Sequence, residues 1–310
     1  MSALYVVTGA GPIGRTIAGQ LAAAGHAVRV LTRSGSGPEH PAVERRAVDV
    51  RDGAALQAAL EGAGALFHCI HAPYTAQAWR EQLPAAEQTV LRAAGDRVVV
   101  FPESLYSYTD TSSPMTEDGP RTATGGKRGV RSALLGARQS SATPTVSVVA
   151  SDFFGPHVRN AHAGERMLPL VLAGRRVRVV GSADEPHSFT YVPDLARAMV
   201  AAASRPQNWG SVLHAPTGPA LTQRALVQAF ASAAGVPARV GVIPPWVVRA
   251  GAVVPGQLRE LAETLYQFES PFVMDSRRTQ TLLGLSPTPL DEAARTTVAW
   301  WREQAARAAA

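Results

Sequence analysis

The chain has one cysteine, Cys69, and one lysine, Lys127, in 310 residues. A single cysteine excludes an internal disulfide and a cysteine metal cluster. Its apolar neighbours Leu66, Phe67 and Ile70 make it read as a buried structural thiol. No run approaches the roughly 18 apolar residues that a membrane span requires. Met1–Val7 runs straight into a strand and a glycine turn with no charged leader or cleavage site, which is expected of a cytoplasmic protein. The His residues His68, His71, His157, His162 and His187 do not fall at metal-ligand spacing, so no metal is expected.

The scarcity of lysine means that almost all positive charge is arginine: 30 Lys plus Arg include 29 arginines. With abundant Ala, Gly and Pro, this is the bias of a GC-rich bacterial genome, and it accounts for the formal charge of +6. A basic chain raises the question of nucleic acid. The doublets Arg45–Arg46, Arg175–Arg176 and Arg277–Arg278 lie far apart, however, and no nucleic-acid motif accompanies them. Neither nucleic acid nor membrane is expected as a partner. Lys127 stands out because arginine fills every other cationic position.

Hydrophobic patterning predicts an alternation of strands and helices from residue 4 to residue 150. Strands are expected at Leu4–Thr8, Ala27–Leu31, Glu44–Val48, Ala65–Ile70, Arg97–Phe101 and Thr145–Ala150. Helices are expected at Arg15–Ala24, Gly53–Glu61, Ala76–Ala94 and Lys127–Gln139, with Pro84 kinking the third or starting a second helix there. Such alternation predicts an α/β fold: a Rossmann-like doubly wound parallel sheet, with a smaller C-terminal substrate lobe. Residues 1–150 form the dinucleotide domain in this reading. Residues 151–310 form mainly the lobe, with about 186–215 returning to the first domain. Ser151–Asn160 reads as a loop. Beyond it, helices are expected at Gly164–Ala173, Pro193–Ser204, Thr222–Ala234, Gln257–Phe268 and Leu290–Arg307, and strands at Val177–Val180 and Ser211–His214.

Gly9-x-Gly11-x-x-Gly14 follows the first strand and opens the first helix. In that context the three glycines have separate tasks: a tight turn, close approach of a diphosphate to backbone, and close helix–strand packing. The helix N-terminus attracts the phosphates. Thr8, Pro12 and Ile13 belong to the same turn. An NAD site usually carries an acid about 20 residues on, for the ribose hydroxyls. Here the second strand ends Leu31-Thr32-Arg33-Ser34, with no acid between Arg29 and Gly37. Arg33 can grip a 2′-phosphate, with Thr32 and Ser34 adding hydroxyls and Arg15 within reach, so NADP(H) is expected over NAD(H). The alternative is that Arg33 is a solvated surface residue. Asp49, beside Val50, is a candidate for the adenine amino group or an ordinary strand-end residue.

These segments resemble the short-chain dehydrogenase/reductases, of the extended or atypical type that includes the NAD-dependent epimerase/dehydratase family, over nearly the whole chain. VVTGAGPIG resembles the family's TGxxGxxG, one residue shorter between its first two glycines. Val48–Asp52 resembles the adenine-side Asp motif. Phe67–Tyr74, which contains His71, resembles the fourth-strand segment lining the adenosine. Ser104–Tyr108 resembles the segment bearing the active-site serine, and this puts Ser104 at that position. Asp152–Pro156 resembles the substrate-side Val-Tyr-Gly-Pro segment, His187–Ala198 the Phe-Val-Tyr-Val-Asp-Asp segment, and Leu282–Trp300 the closing segment. The resemblance implies a small-molecule substrate in a pocket that includes Ser104, Tyr106, Tyr108, Phe153, Phe154, His157, Tyr191 and the helix after residue 257, with His187 a further contact. It also implies a homodimer through a helix pair.

The departure is at the catalytic pair. The family's Tyr-x-x-x-Lys uses the phenol as acid/base, while the lysine lowers its pKa and holds the nicotinamide ribose. Lys127 fits the lysine, unless it is a helix-terminal surface residue, but Ala123 stands where the tyrosine belongs. Three readings follow. Tyr106, Tyr108, Tyr191 or His157 supplies the proton; or Ser104, water and substrate relay it; or the chain binds NADP(H) without turnover, as a redox sensor. The catalytic candidates are therefore Ser104, Tyr106 and Lys127, in an oxidoreductase acting on a carbonyl. A sugar-nucleotide epimerase or dehydratase is the rival enzyme.

Overall fold

A computed structural model describes residues 3–252 and 256–309, so the first two residues of the Met1–Val7 segment and four residues of the C-terminal lobe lie outside it. The chain runs β1 (Leu4–Thr8), α1 (Pro12–Ala23), β2 (Ala27–Thr32), β3 (Val43–Ala47), α2 (Gly53–Ala59), β4 (Ala63–His68), α3 (Ala76–Ala94), β5 (Val98–Ser104), α4 (Gly126–Gln139) and β6 (Thr145–Ala150). There follow β7 (Asp152–Phe154), α5 (Leu168–Leu172), β8 (Val177–Val180), β9 (Phe189–Tyr191), α6 (Val192–Ala203), β10 (Val212–His214) and α7 (Gln223–Ala234). The last elements are β11 (Val240–Ile243), α8 (Pro245–Gly251), α9 (Gln257–Ala262), α10 (Arg277–Leu283) and α11 (Leu290–Ala309).

Seven strands form one parallel sheet in the order β10-β6-β5-β4-β1-β2-β3. Successive side chains of a strand point to opposite faces, and here both faces are covered. Val7 packs with Ile17 of α1 and Met199 of α6, whereas Val6 packs with Leu56 of α2 and Val90 of α3. Both valines are completely buried. This explains why β1, β4 and β6 read as continuous apolar runs. Sequence order reverses between β1 and β4, and in such sheets the cleft for a ligand opens at the strands' C-terminal ends beside that reversal.

Chain beyond residue 151 builds a second core from Phe154, Leu168, Val179, Tyr191, Leu226, Phe230 and Trp301. Between them, α6 returns to pack on α1 and β10 pairs with β6.

The structure corrects several sequence expectations. Asp152–Phe154 is a strand rather than loop, paired in parallel with Phe189–Tyr191; three residues are too few to display a period. The helix expected over Gly164–Ala173 shrinks to α5, because Gly164 lies against the Arg159 carbonyl in a tight turn before it. The helix expected over Gln257–Phe268 divides into α9 and a 3-10 turn at Leu265–Phe268. β11, α8 and α10 have no counterpart in the sequence reading. Helix α3 continues through Pro84, which lies on its exposed face, where the carbonyl the proline leaves unbonded can meet water.

Candidate functional site

At the glycine turn, Gly9 adopts φ +88°, and its N–H donates to the Leu31 carbonyl at 2.9 Å. A Cβ at Gly14 would stand 2.1 Å from the Gly9 carbonyl oxygen, so packing alone demands glycine there. A Cβ at Gly11 would meet nothing within 4 Å. Gly11 is exposed, and it precedes Pro12 at the start of α1. Arg15 makes the first helical bond, from its N–H to the Gly11 carbonyl at 2.9 Å. The N–H groups of Ile13 and Gly14 ahead of it have no helical carbonyl to bond. Free donors, a positive helix end and open space around Gly11 form a cradle that can attract an anion. Arg15 folds back to donate to the Ala10 carbonyl at 2.9 Å.

Beside the cradle, β2 ends in a turn. The Thr32 hydroxyl donates to the Ser36 carbonyl at 2.9 Å and the Ser34 hydroxyl to the Ser36 hydroxyl at 2.9 Å. These two hydroxyls hold the turn. Arg33 between them is exposed and, among the described residues, makes no side-chain hydrogen bond or ion pair. Asp49 is tied to Arg51, with Nη2–Oδ2 at 2.5 Å, and those hydrogen bonds pull its carboxyl down to about 2.

Several expected cofactor contacts are core residues. Thr8 is buried, with its hydroxyl 2.8 Å from Nδ1 of His68, and Val50 packs under the sheet with Leu56. Both hold the turns rather than offering a side chain to a ligand. His71 receives a hydrogen bond at Nε2 from Arg131 (2.7 Å), so its Nδ1–H donates to the Ala72 carbonyl at 2.7 Å.

At the ends of β4 and β5 lies an aromatic cluster. The Tyr74 and Tyr106 hydroxyls are 2.7 Å apart, Tyr106 stacks on Trp79 at 5.9 Å, and the Lys127 Nζ lies 4.5 Å above the Tyr74 ring. Burial holds the Tyr106 phenol well above its ordinary value, and nearby Tyr74 and Asp152 push the same way. Ser104 is half-buried at the end of β5, its N–H donating to Glu103 Oε1 at 2.8 Å and its hydroxyl to the same atom at 3.4 Å. Glu103 belongs to a buried network in which Arg138 donates to Glu87, Glu103 and Ser147, while Arg131 lies 3.4 Å from Glu103. Ala123 is buried and brings no hydroxyl.

Lys127 is not a surface residue. Its side chain is 0% exposed beneath α9, with Nζ 2.5 Å from Glu260 Oε2 and 3.0 Å from Glu263 Oε2.

The substrate-side expectations divide. Phe153 and His157 are half-buried; His157 sits at φ +67° with its ring 5.2 Å from that of Trp300. Tyr108, Phe154 and Tyr191, in contrast, are packed away from solvent. The Tyr108 hydroxyl bonds His214 Nε2 at 2.6 Å, and burial pushes the phenol up to about 12. Phe154 and Tyr191 pack on one another at 5.4 Å in the lobe core. His187 is also buried: Nε2 faces Asp152 Oδ2 at 2.8 Å and Nδ1 faces the Gln267 carbonyl at 3.0 Å. Burial alone would raise the Asp152 carboxyl, but the His187 hydrogen bond and charge outweigh it and hold it low.

Sequence reasoning had Tyr74 and Asp152 only as ends of family-like segments, and Glu260 and Glu263 only within the helix after residue 257, and gave none of the four a role of its own. The two glutamates, three residues apart, were legible as one face of a helix, but nothing in the sequence said which group that face meets. Among the described residues no cluster of His, Cys, Asp or Glu could hold a metal ion, and no helix is long and apolar enough to cross a membrane. A 650 Å³ groove between α3 and α4, lined by Leu91, Ala133, Leu134 and Ala137, contains none of the candidate site residues.

Comparison with known proteins fits this geometry. The family model for the NAD-dependent epimerase/dehydratase family matches residues 5–212. Solved structures share the fold along almost the whole chain. The Bordetella bronchiseptica enzyme WbmH, in complex with NAD+, is 19% identical with a TM-score of 0.74, covering 98% of this chain and 99% of its own. UDP-glucuronic acid 4-epimerase from Bacillus cereus, in complex with NAD, is 17% identical with a TM-score of 0.76, covering 97% and 99%. UDP-glucose 4-epimerase from Thermus thermophilus, also with NAD, is 22% identical with a TM-score of 0.75, covering 96% and 99%. No curated protein matches the sequence. With a Rossmann sheet, a glycine cradle and a family match over two thirds of its length, the chain belongs to the NAD-dependent epimerase/dehydratase family.

Proposed function

We propose that the protein is a nicotinamide-dinucleotide-dependent oxidoreductase that uses NADP(H) on a carbonyl or alcohol of a small molecule. The observation that carries this reading is the open cradle at Gly11 with the unpartnered Arg33 beside it. Packing explains Gly14, whereas the space before Gly11 is free for a diphosphate. Arg33 supplies a fork of N–H donors for a 2′-phosphate where an NAD site would carry an acid. Thr32 and Ser34 set the turn that presents it.

The bound dinucleotide supplies or accepts the hydride. The chain's own groups position the substrate and handle the proton. Of two hydroxyls 2.7 Å apart, one donates to the other, so the Tyr74–Tyr106 pair keeps one O–H free for a substrate oxygen. Tyr74 is 46% exposed, which connects the pair to solvent. The Ser104 hydroxyl orients the same oxygen, and Lys127 holds ribose hydroxyls once it is uncovered. A phenol pair of this kind supplies the acid that Ala123 does not.

The test is NADPH consumption against a panel of small carbonyl compounds, with product required in molar excess over protein. Dinucleotide binding without turnover of any compound would favour the sensor reading. The UDP-sugar 4-epimerases among the structural neighbours favour a second reading, a sugar-nucleotide epimerase. Conversion of UDP-glucose to its 4-epimer with NAD would establish it. We also infer that the protein's partner is a second copy seated on the apolar α3–α4 groove; sedimentation of a monomer at micromolar concentration would remove it.

A further inference from the structure

We infer that the segment from Gly256 to Glu263 is a latch that competes with the dinucleotide for Lys127. This rests on the reading of Lys127 as a ribose-binding residue. An ammonium group has three N–H donors. On one short stretch Nζ donates to Glu260 Oε2 at 2.5 Å and to the Glu260 carbonyl at 3.0 Å, and Glu263 Oε2 stands at ion-pair distance, 3.0 Å. The Tyr74 ring is a further neighbour, with its centroid 4.5 Å from Nζ. In this state the Lys127 ammonium is 0% exposed and walled off by these acceptors, so a ribose or substrate hydroxyl does not reach it.

The same two carboxylates reach further. Glu260 Oε2 accepts from the N–H of Ala76, the first residue of α3, at 3.2 Å. Glu263 Oε1 accepts from the N–H of Lys127 itself, in the first turn of α4, at 2.5 Å. Both are orphan donors at positive helix ends, where a carboxylate is favoured. The segment therefore ties two helix N-termini and the chain's only lysine together. Gly126, at φ +49°, makes the approach possible, since a Cβ there would stand 2.1 Å from Glu263 Oε1. The glutamate side chains are 22% and 26% exposed above a lysine that is 0% exposed, so they form the outer layer and can swing to water. Ribose hydroxyls entering at Lys127 would have to displace them.

Lys127 being the sole lysine gives a direct test. Wild type, Glu260→Gln, Glu263→Gln and the double variant are treated with a limiting amine-acylating reagent. Labelling of Lys127 is then read by peptide mass spectrometry against the N-terminal amine, with urea-denatured wild type as the ceiling. NADPH and NADH affinities are measured on the same proteins. The latch predicts slow labelling in wild type and at least about tenfold faster labelling in the double variant, with native melting behaviour and dinucleotide affinity about tenfold tighter. Equal labelling rates in wild type and variants, or wild-type labelling at the denatured rate, would overturn it. Faster labelling with unchanged affinity would overturn the competition. Failure of every variant to bind either dinucleotide would overturn the functional reading beneath it, a result that the labelling arm distinguishes.

Discussion

Replacing Arg138 by methionine probes the network that ties α3, α4 and β5 together behind Ser104. The guanidinium is buried and makes four hydrogen bonds: to both Glu87 oxygens at 2.8 and 2.6 Å, to Glu103 Oε2 at 2.9 Å and to the Ser147 hydroxyl at 3.0 Å. Glu87 and Glu103 are 6% and 4% exposed. Without Arg138, Glu103 retains Arg131 at 3.4 Å and the Ser104 N–H, and Glu87 retains no cation at hydrogen-bond distance among the described residues. Breaking a buried pair by removing one partner costs about 3–5 kcal/mol. Burial would raise the Glu87 carboxyl, but the charge and hydrogen bonds of Arg138 outweigh it and hold it below its ordinary value. In wild type, Glu87 thus adds stability above its unfolded pKa, and this is lost as pH falls through the folded value. In the variant, desolvation raises the same carboxyl, so acidification relieves the strain. Urea denaturation at about pH 7.5 and about pH 5 should therefore show a gap of about 3–5 kcal/mol that narrows on acidification. A neutral-pH loss below about 1 kcal/mol, or a gap that widens in acid, would refute the reasoning.

The glycine turn separates packing from binding. Gly14→Ala should lower the melting temperature or prevent folding, because its Cβ meets the Gly9 carbonyl at 2.1 Å. Gly11→Ala, at φ −72° with nothing within 4 Å, should melt like wild type yet lose at least about tenfold in dinucleotide affinity; unchanged affinity would mean that the cradle is not the binding site. Tyr106→Phe should lower carbonyl turnover with a wild-type melting curve. Tyr108→Phe should do the reverse: it leaves the buried His214 Nε2 without its partner, at a cost of about 1–3 kcal/mol, and spares turnover. Swapped outcomes would exchange the roles given to the two tyrosines.

The alternation of β1 through β6 and the glycine turn were readable because a sheet buried on both faces and a βαβ crossover leave periodic and local marks. The short parallel pair of β7 and β9 left none. Tyr108, Phe154 and Tyr191 were placed in the pocket by the family-like segments that carry them, but which side such an aromatic faces is decided by residues far away in sequence. His214 is the example for Tyr108, and Phe230 for Phe154. The burial of Lys127 was equally hidden, since its partners Glu260 and Glu263 follow it by 133 and 136 residues. The exposure of Gly11 and Arg33 fits what the sequence suggested, since both stand at turns with no protein side chain bonded to them among the described residues.

The account turns on Arg33 reading a 2′-phosphate beside the Gly9–Gly14 cradle, and the direct measurement is a titration of wild type and Arg33→Ala with NADPH and NADH. A charge-assisted contact of about 1.5–3 kcal/mol corresponds to about 10–100-fold in affinity. Wild type should prefer NADPH by that factor, and Arg33→Ala should lose the preference while holding NADH unchanged. Equal wild-type affinity for the two dinucleotides would contradict the assignment, and binding of neither would contradict the cradle itself.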